Sequence, residues 1–165
     1  MISESFQKAD YHVLFASQRE AYEIERKSQK SVFILSSDNM RYFLRTLPDI
    51  FVAPPGLKNI SGGEKIACRS AVLCGEDAST LSEYIVSERI VTYGMSPKDT
   101  LTVSSAVDNV TIALQREIIA LTDETIEMQE VRIPMEDCAD LNRLMAIACV
   151  MLLAGIPFME IQGLL

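Results

Sequence analysis

Four side chains stand where their types could do chemistry: Glu76, Asp77, Tyr93 and Asn142. Glu76 and Asp77 are adjacent carboxylates just after an apolar run that ends at Cys74. Such a pair can hold Mg²⁺ or a ribose hydroxyl, and ligands of open α/β sheets bind beyond the carboxyl ends of the strands. The plainer reading, and the favoured one, makes Asp77 the cap of the following helix and leaves Glu76 solvated. Tyr93 closes a second apolar run and offers a ring for stacking, although a tyrosine in that place is more often a partly buried core-edge residue. Asn142 can contact a base or satisfy neighbouring backbone at a helix start. His12 is the one histidine, stands beside an apolar run without a partner, and reads as structural. Cys68, Cys74, Cys138 and Cys149 form no C-x-x-C pair. Three of the four lie in or beside apolar segments, where a reduced cysteine acts as a small hydrophobe. With no ligand spacing, no metal site is expected. No nucleophile and base stand at a recognisable spacing, so no catalytic residue is assigned.

The elements that must position these residues alternate along the chain. Residues 11–15 read as a short strand. Residues 17–30 read as a polar helix opened by a capping box, Ser17 with Glu20. Residues 31–35 and 49–53 are β-branched and aromatic strands; helical spacing over 40–47 separates them and stops at Pro48. Residues 56–64 form a glycine-bearing loop, 70–74 a strand, 79–85 a short helix and 89–94 another strand. This alternation predicts a mostly parallel sheet covered on both faces. After Pro97 the pattern changes to three extended segments, 101–105, 110–117 and 126–133, with polar turns at Asp108-Asn109 and Thr122-Asp123-Glu124. That is an antiparallel hairpin or meander. A helix over 139–153 follows, capped by Gly155, and Pro157 opens a last one over 158–164. The expected fold is a single three-layer, Rossmann-like α/β domain over 1–165, with a mostly parallel sheet, a β-hairpin extension and two C-terminal helices.

The bulk properties agree. Hydrophobic residues make up 48% of 165, enough for a sizeable core. A formal net charge of −8 repels phosphate backbones and anionic lipids, so neither nucleic acid nor a membrane surface is an expected partner. No apolar run approaches the roughly 18 residues that span a bilayer, and no basic region precedes an apolar core at the start of the chain. A cytoplasmic location is expected.

Four segments add a resemblance. Ala71-Val72-Leu73-Cys74-Gly75-Glu76-Asp77, then Arg89-Ile90-Val91-Thr92-Tyr93-Gly94, a hairpin region, and Cys138-Ala139-Asp140-Leu141-Asn142-Arg143-Leu144-Met145-Ala146-Ile147-Ala148 leading to Ala154-Gly155-Ile156 and a short helix over 158–165 occur in that order. In that order they resemble the latter part of the central ATP-binding domain of Mur ligases, the amide-forming enzymes of peptidoglycan precursor synthesis. The resemblance covers residues 70–165; residues 1–69 match poorly. It implies an α/β ATP-binding scaffold, with Asn142 as what remains of the polar set near the nucleotide base.

The departures bear on activity. The family cradles ATP phosphates with a Gly-x-x-Gly-Lys-Thr/Ser loop, whose lysine neutralises charge and whose hydroxyl holds Mg²⁺. The nearest stretch here, Gly62-Gly63-Glu64-Lys65-Ile66, sets an acidic residue before the lysine and no hydroxyl after it. Cys138 and Ala139 replace the histidine and first asparagine of the family's helix motif, and Cys74 replaces an asparagine of the acidic turn. ATP and Mg²⁺ are therefore disfavoured as cofactors. The expectation is a degenerate Mur-ligase-like domain, non-catalytic alone, that binds a protein partner, a second copy of itself or a small ligand. Two alternatives stand beside it: a subunit of an ATP-dependent amide ligase whose phosphate loop comes from another chain, and a nucleotide or metabolite sensor that uses Glu76, Asp77 and Asn142.

Overall fold

The computed structural model describes residues 12–16, 21–23, 31–36, 48–57, 65–106, 109–134 and 140–164. The expected helix over 40–47, the glycine pair at 62–63, and Cys138 and Ala139 lie outside the described residues.

Among the described residues eleven strands and three α-helices follow one another. They are β1 (His12–Ala16), β2 (Ala21–Glu23), β3 (Ser31–Ser36), β4 (Ile50–Val52), β5 (Ile66–Cys74), α1 (Gly75–Leu81) with a 3₁₀ turn Ser82–Tyr84, β6 (Ile85–Gly94), β7 (Leu101–Ala106), β8 (Asn109–Leu114), β9 (Ile118–Ile119), β10 (Thr125–Ile126), β11 (Gln129–Pro134), α2 (Leu141–Leu153) and α3 (Phe158–Leu164). Nine strands form one sheet in the order β11-β8-β7-β6-β5-β4-β3-β1-β2. From β1 through β3, β4 and β5 to β6 every neighbouring pair is parallel, while β7, β8 and β11 are the antiparallel extension. The expected α/β fold, with hairpin extension and two C-terminal helices, is the observed one.

Both faces of the sheet are buried at β4 and along residues 70–74 of β5, where successive side chains point to opposite sides. Ile50, Val52, Val72, Cys74, Val91 and Tyr93 pack on the side of α2. Phe51, Ala71 and Leu73 pack on the opposite side, where Leu81 of α1 covers them. Every residue from Leu144 to Leu153 is buried, so α2 is a core helix rather than a surface helix with one apolar stripe. Its ends are built for that place. Asp140 caps the first turn, its Oδ1 accepting from Arg143 N at 3.0 Å. At the other end Gly155 takes φ +83°, and Gly155 N and Ile156 N donate to Leu152 O and Met151 O. This double closure suits glycine because a left-handed φ carries no Cβ penalty there.

Three local expectations change. Residues 21–23, inside the expected helix, are the strand β2, paired antiparallel with β1; pairing with a neighbouring strand outweighs the helix-forming composition of the segment. Helix α1 begins at Gly75, directly off β5, four residues before the expected start at Ser79. The segment 110–133 also holds a small second sheet, β9 with β10, turned by Asp123 at φ +64°.

The step from β6 to β7 decides what lies at the strand ends. A parallel neighbour normally needs a crossover of about a dozen residues or more. Here residues 95–100 suffice, because β7 starts where β6 ends and only Tyr93 and Gly94 pair with it, opposite Leu101 and Thr102. Thr92 and Thr100 secure the sidestep: each hydroxyl accepts the other's backbone N–H, at 3.3 and 3.1 Å.

Candidate functional site at the carboxyl end of the parallel strands

β5 and β6 end side by side, Cys74 opposite Tyr93. At both exits the next residue is a glycine, and the reason is Asp99. Its side chain, on the loop between β6 and β7, is 6% exposed. A Cβ on Gly75 would overlap that carboxylate, and one on Gly94 would sit 2.5 Å from its Oδ2. Neither glycine has the left-handed φ of Gly56 and Gly155, so the space occupied by Asp99, not backbone conformation, excludes a side chain. Asp99 is fixed locally by its own loop: Ser96 N donates to Oδ2 at 3.1 Å and Asp99 N donates to Ser96 O at 2.9 Å.

Asp77, in the first turn of α1, does not cap it. The N-cap position is Cys74, which makes no side-chain cap bond. Asp77 Oδ2 instead accepts from Gly56 N at 2.7 Å and so ties the turn after β4 to the start of α1. The expected cap is corrected on that geometry: a residue inside the helix has its carboxylate free to reach a separate loop. Glu76 is exposed, as expected.

Tyr93 is fully buried, not a partly buried edge residue, and its hydroxyl has no hydrogen-bond partner among the described residues. Burial pushes its acidity far down, and the carboxylates of Asp77 and Asp140 act in the same direction. Burial likewise raises the pKa of the Cys149 thiol, with Asp99 adding to it. It raises that of Cys74 too, against a bond from the Glu76 backbone that lowers it and with Asp77, Glu76 and Asp99 adding to the rise. These thiols stay protonated and carry no nucleophilic role at neutral pH. Asn142 is exposed in the first turn of α2; the backbone at that helix start is served by Asp140, so the capping role weighed for Asn142 belongs to Asp140.

The fold thus gathers Asp77, Asp140 and the Tyr93 hydroxyl from three elements, with Glu76 and Asn142 exposed nearby. Asp99 is the member the sequence reading missed. The available signal was two glycines at adjacent strand exits, each followed or preceded by ordinary helix or strand. Glu76, Asp77, Asp99 and Asp140 make this end acidic. It can accept hydrogen bonds and hold positive charge, and a bare phosphate meets repulsion there. Among the described residues no group of three or more His, Cys, Asp and Glu side chains has the closeness to hold a metal ion. No helix among them is long and apolar enough to cross a membrane. No protein-family model matches this chain, and no curated protein does.

Proposed function

We propose that this chain is a degenerate Mur-ligase-like binding domain, without ligase activity of its own, that holds a small hydrogen-bond-donating ligand over the carboxyl ends of β5 and β6. The observation that carries the reading is the Tyr93 hydroxyl: fully buried, without a partner among the described residues, and close enough to Asp77 and Asp140 to feel their charge. A buried hydroxyl left unpaired costs about 1–3 kcal/mol, and a ligand or water that reaches it recovers that cost. Support for the Mur-ligase-like part is the order of the four segments in the sequence, together with the missing phosphate loop.

Calorimetry with ATP–Mg²⁺ and with small amines on the wild-type chain and on Asp77→Ala, Asn142→Ala and Tyr93→Phe is the test. Tyr93→Phe is the sharpest of the three. It removes an unsatisfied group, so stability should hold or rise by about 1 kcal/mol while ligand affinity falls. Binding that all three substitutions leave unchanged removes the strand-end site. ATP conversion to ADP with amide formation by the purified chain alone removes the non-catalytic reading.

A further inference from the structure

A second concave surface lies at the opposite end of α2, well away from the strand exits. The β9–β10 hairpin, the segment leading into β11 and the turn between α2 and α3 enclose a cleft of about 610 Å³ whose walls include Glu124, Ile126, Glu127, Ile156, Phe158 and Met159. That is within the range of roughly 300–1,000 Å³ in which ligand sites fall. The hairpin is held firmly. Leu121 N donates to Leu153 O at 2.7 Å, Arg89 donates to Ala120 O at 3.1 Å, and Arg89 pairs with Asp123 at 2.7 Å.

The cleft carries exposed apolar surface: Met159, 70% exposed, and the half-buried Ile126 are on its wall, and two further exposed hydrophobic side chains come from the segments that form it, Met128 between the lining residues Glu127 and Gln129 and Ile119 on the strand paired with Thr125. Exposed methionines adapt to varied apolar partners, and clustered exposed apolar groups mark interaction surfaces. The rim has one sign of charge. Glu124 and Glu127 line the cleft, the exposed Glu160 follows Met159, and no lysine or arginine is among the lining residues.

We propose that this cleft docks a basic amphipathic helix of a partner protein, with the helix's apolar residues on Met159 and Ile126 and its lysines or arginines facing Glu124, Glu127 and Glu160. Charge complementarity sets the choice of occupant. A second copy of this chain carries a net charge of −8, so self-docking opposes like charge to like charge, while a cationic helix gains on every rim contact. The docking mode is an apolar helix face laid into a groove. It is independent of the strand-end reading, because α2 has 13 residues and so separates the two places by about 20 Å.

The probe is a synthetic leucine-and-lysine amphipathic helix of about five turns, with a glutamate-for-lysine peptide of the same apolar face as its counterpart. Fluorescence polarisation is measured on the wild-type chain, on Glu127→Lys and Met159→Ser in the cleft, and on Glu83→Lys outside it. Glu127→Lys and Glu83→Lys alter the net charge equally and both begin from exposed residues, so any general attraction to an acidic protein affects them alike. Binding of the basic peptide should weaken about tenfold in Glu127→Lys and in Met159→Ser and by less than about twofold in Glu83→Lys, and should fall with added salt. No binding of the basic peptide, equal loss in the two charge reversals, or equal binding of the acidic peptide would each overturn the proposal.

Discussion

Gly75 and Asp99 form a pair whose energetics can be tested without knowledge of any ligand. Replacing glycine by alanine inside a helix ordinarily stabilises by up to about 1 kcal/mol, because the unfolded chain loses freedom and helix propensity rises. Gly75 is in helix α1 and has no left-handed φ, so the ordinary sign would apply if space allowed. Space does not allow it: the new Cβ would overlap the Asp99 carboxylate. That carboxylate is buried and anchored to Ser96 N, so it cannot turn away freely. Overpacking of a fixed site costs about 1–3 kcal/mol. Gly75→Ala in the wild-type background should therefore destabilise by roughly that amount less the propensity gain, a net loss of about 1–2 kcal/mol. Asp99→Ala alone removes the bond to Ser96 N and should cost about 1–2 kcal/mol.

The double variant separates the two contributions. Once Asp99 is alanine the obstacle is gone, so adding Gly75→Ala should raise stability by about 0.5 kcal/mol instead of lowering it. The sign of one substitution thus inverts with the residue at position 99, and the cycle should show a coupling of about 2 kcal/mol. Urea denaturation of the four proteins, analysed at constant m-value, measures it. Additivity within about 0.5 kcal/mol would refute the claim that Asp99 occupies the space that keeps position 75 a glycine.

The remaining predictions concern α2 and the buried thiols. Asp140→Ala removes the bond to Arg143 N and should cost about 1 kcal/mol in denaturant, with Asp140→Asn or Ser recovering most of it. Gly155→Ala sets a Cβ at φ +83° and 3.4 Å from the Thr122 side chain; it should cost at least about 1 kcal/mol, and an unchanged melting temperature would contradict the closure described at the end of α2. The pKa values of Cys149 and Tyr93 are raised by burial, so their neutral forms favour the folded state. That contribution is complete below the unfolded values, about 8.5 for cysteine and 10 for tyrosine, and is lost as pH rises above them toward the folded values. The urea midpoint should therefore fall between pH 8 and pH 10.5, by less in Cys149→Ala, and a flat profile would show that these groups are not held neutral.

Strands β4 and β5 were legible because both of their faces are buried over residues 50–52 and 70–74, which writes continuous apolar runs. The glycine and proline punctuation around residues 155–157 marked the end of α2 equally well, since a left-handed φ leaves a direct trace in sequence. Three features left no such trace. Segment 21–23 has the polar composition of a surface helix, and only pairing with β1 makes it a strand. Helix α1 opens on a glycine, a poor helix former, and the reason for that glycine is Asp99, 24 positions along the chain. Asp77 was read as a cap because local geometry suggests one, whereas its partner Gly56 lies 21 residues earlier. At the candidate site, then, the residue types were visible while their contacts were not, because those contacts join loops that come together only when the sheet forms.

That arrangement constrains how binding can be tested. Helix α2 joins both candidate surfaces, Asp140 and Asn142 at its start and Ile156 just past its end, and every residue from Leu144 to Leu153 is buried. Substituting the interior of α2 opens a cavity or forces a clash, typically about 2–5 kcal/mol for a large-to-alanine change. Ligand binding at either end would then be lost through unfolding, whatever the function of that end. Informative substitutions are exposed ones: Asn142 at the strand-end site, Glu127 and Met159 at the cleft. Surface changes of this kind usually shift stability by no more than about 0.5 kcal/mol, so a tenfold loss of affinity in any of them, about 1.4 kcal/mol, reports on recognition rather than on folding.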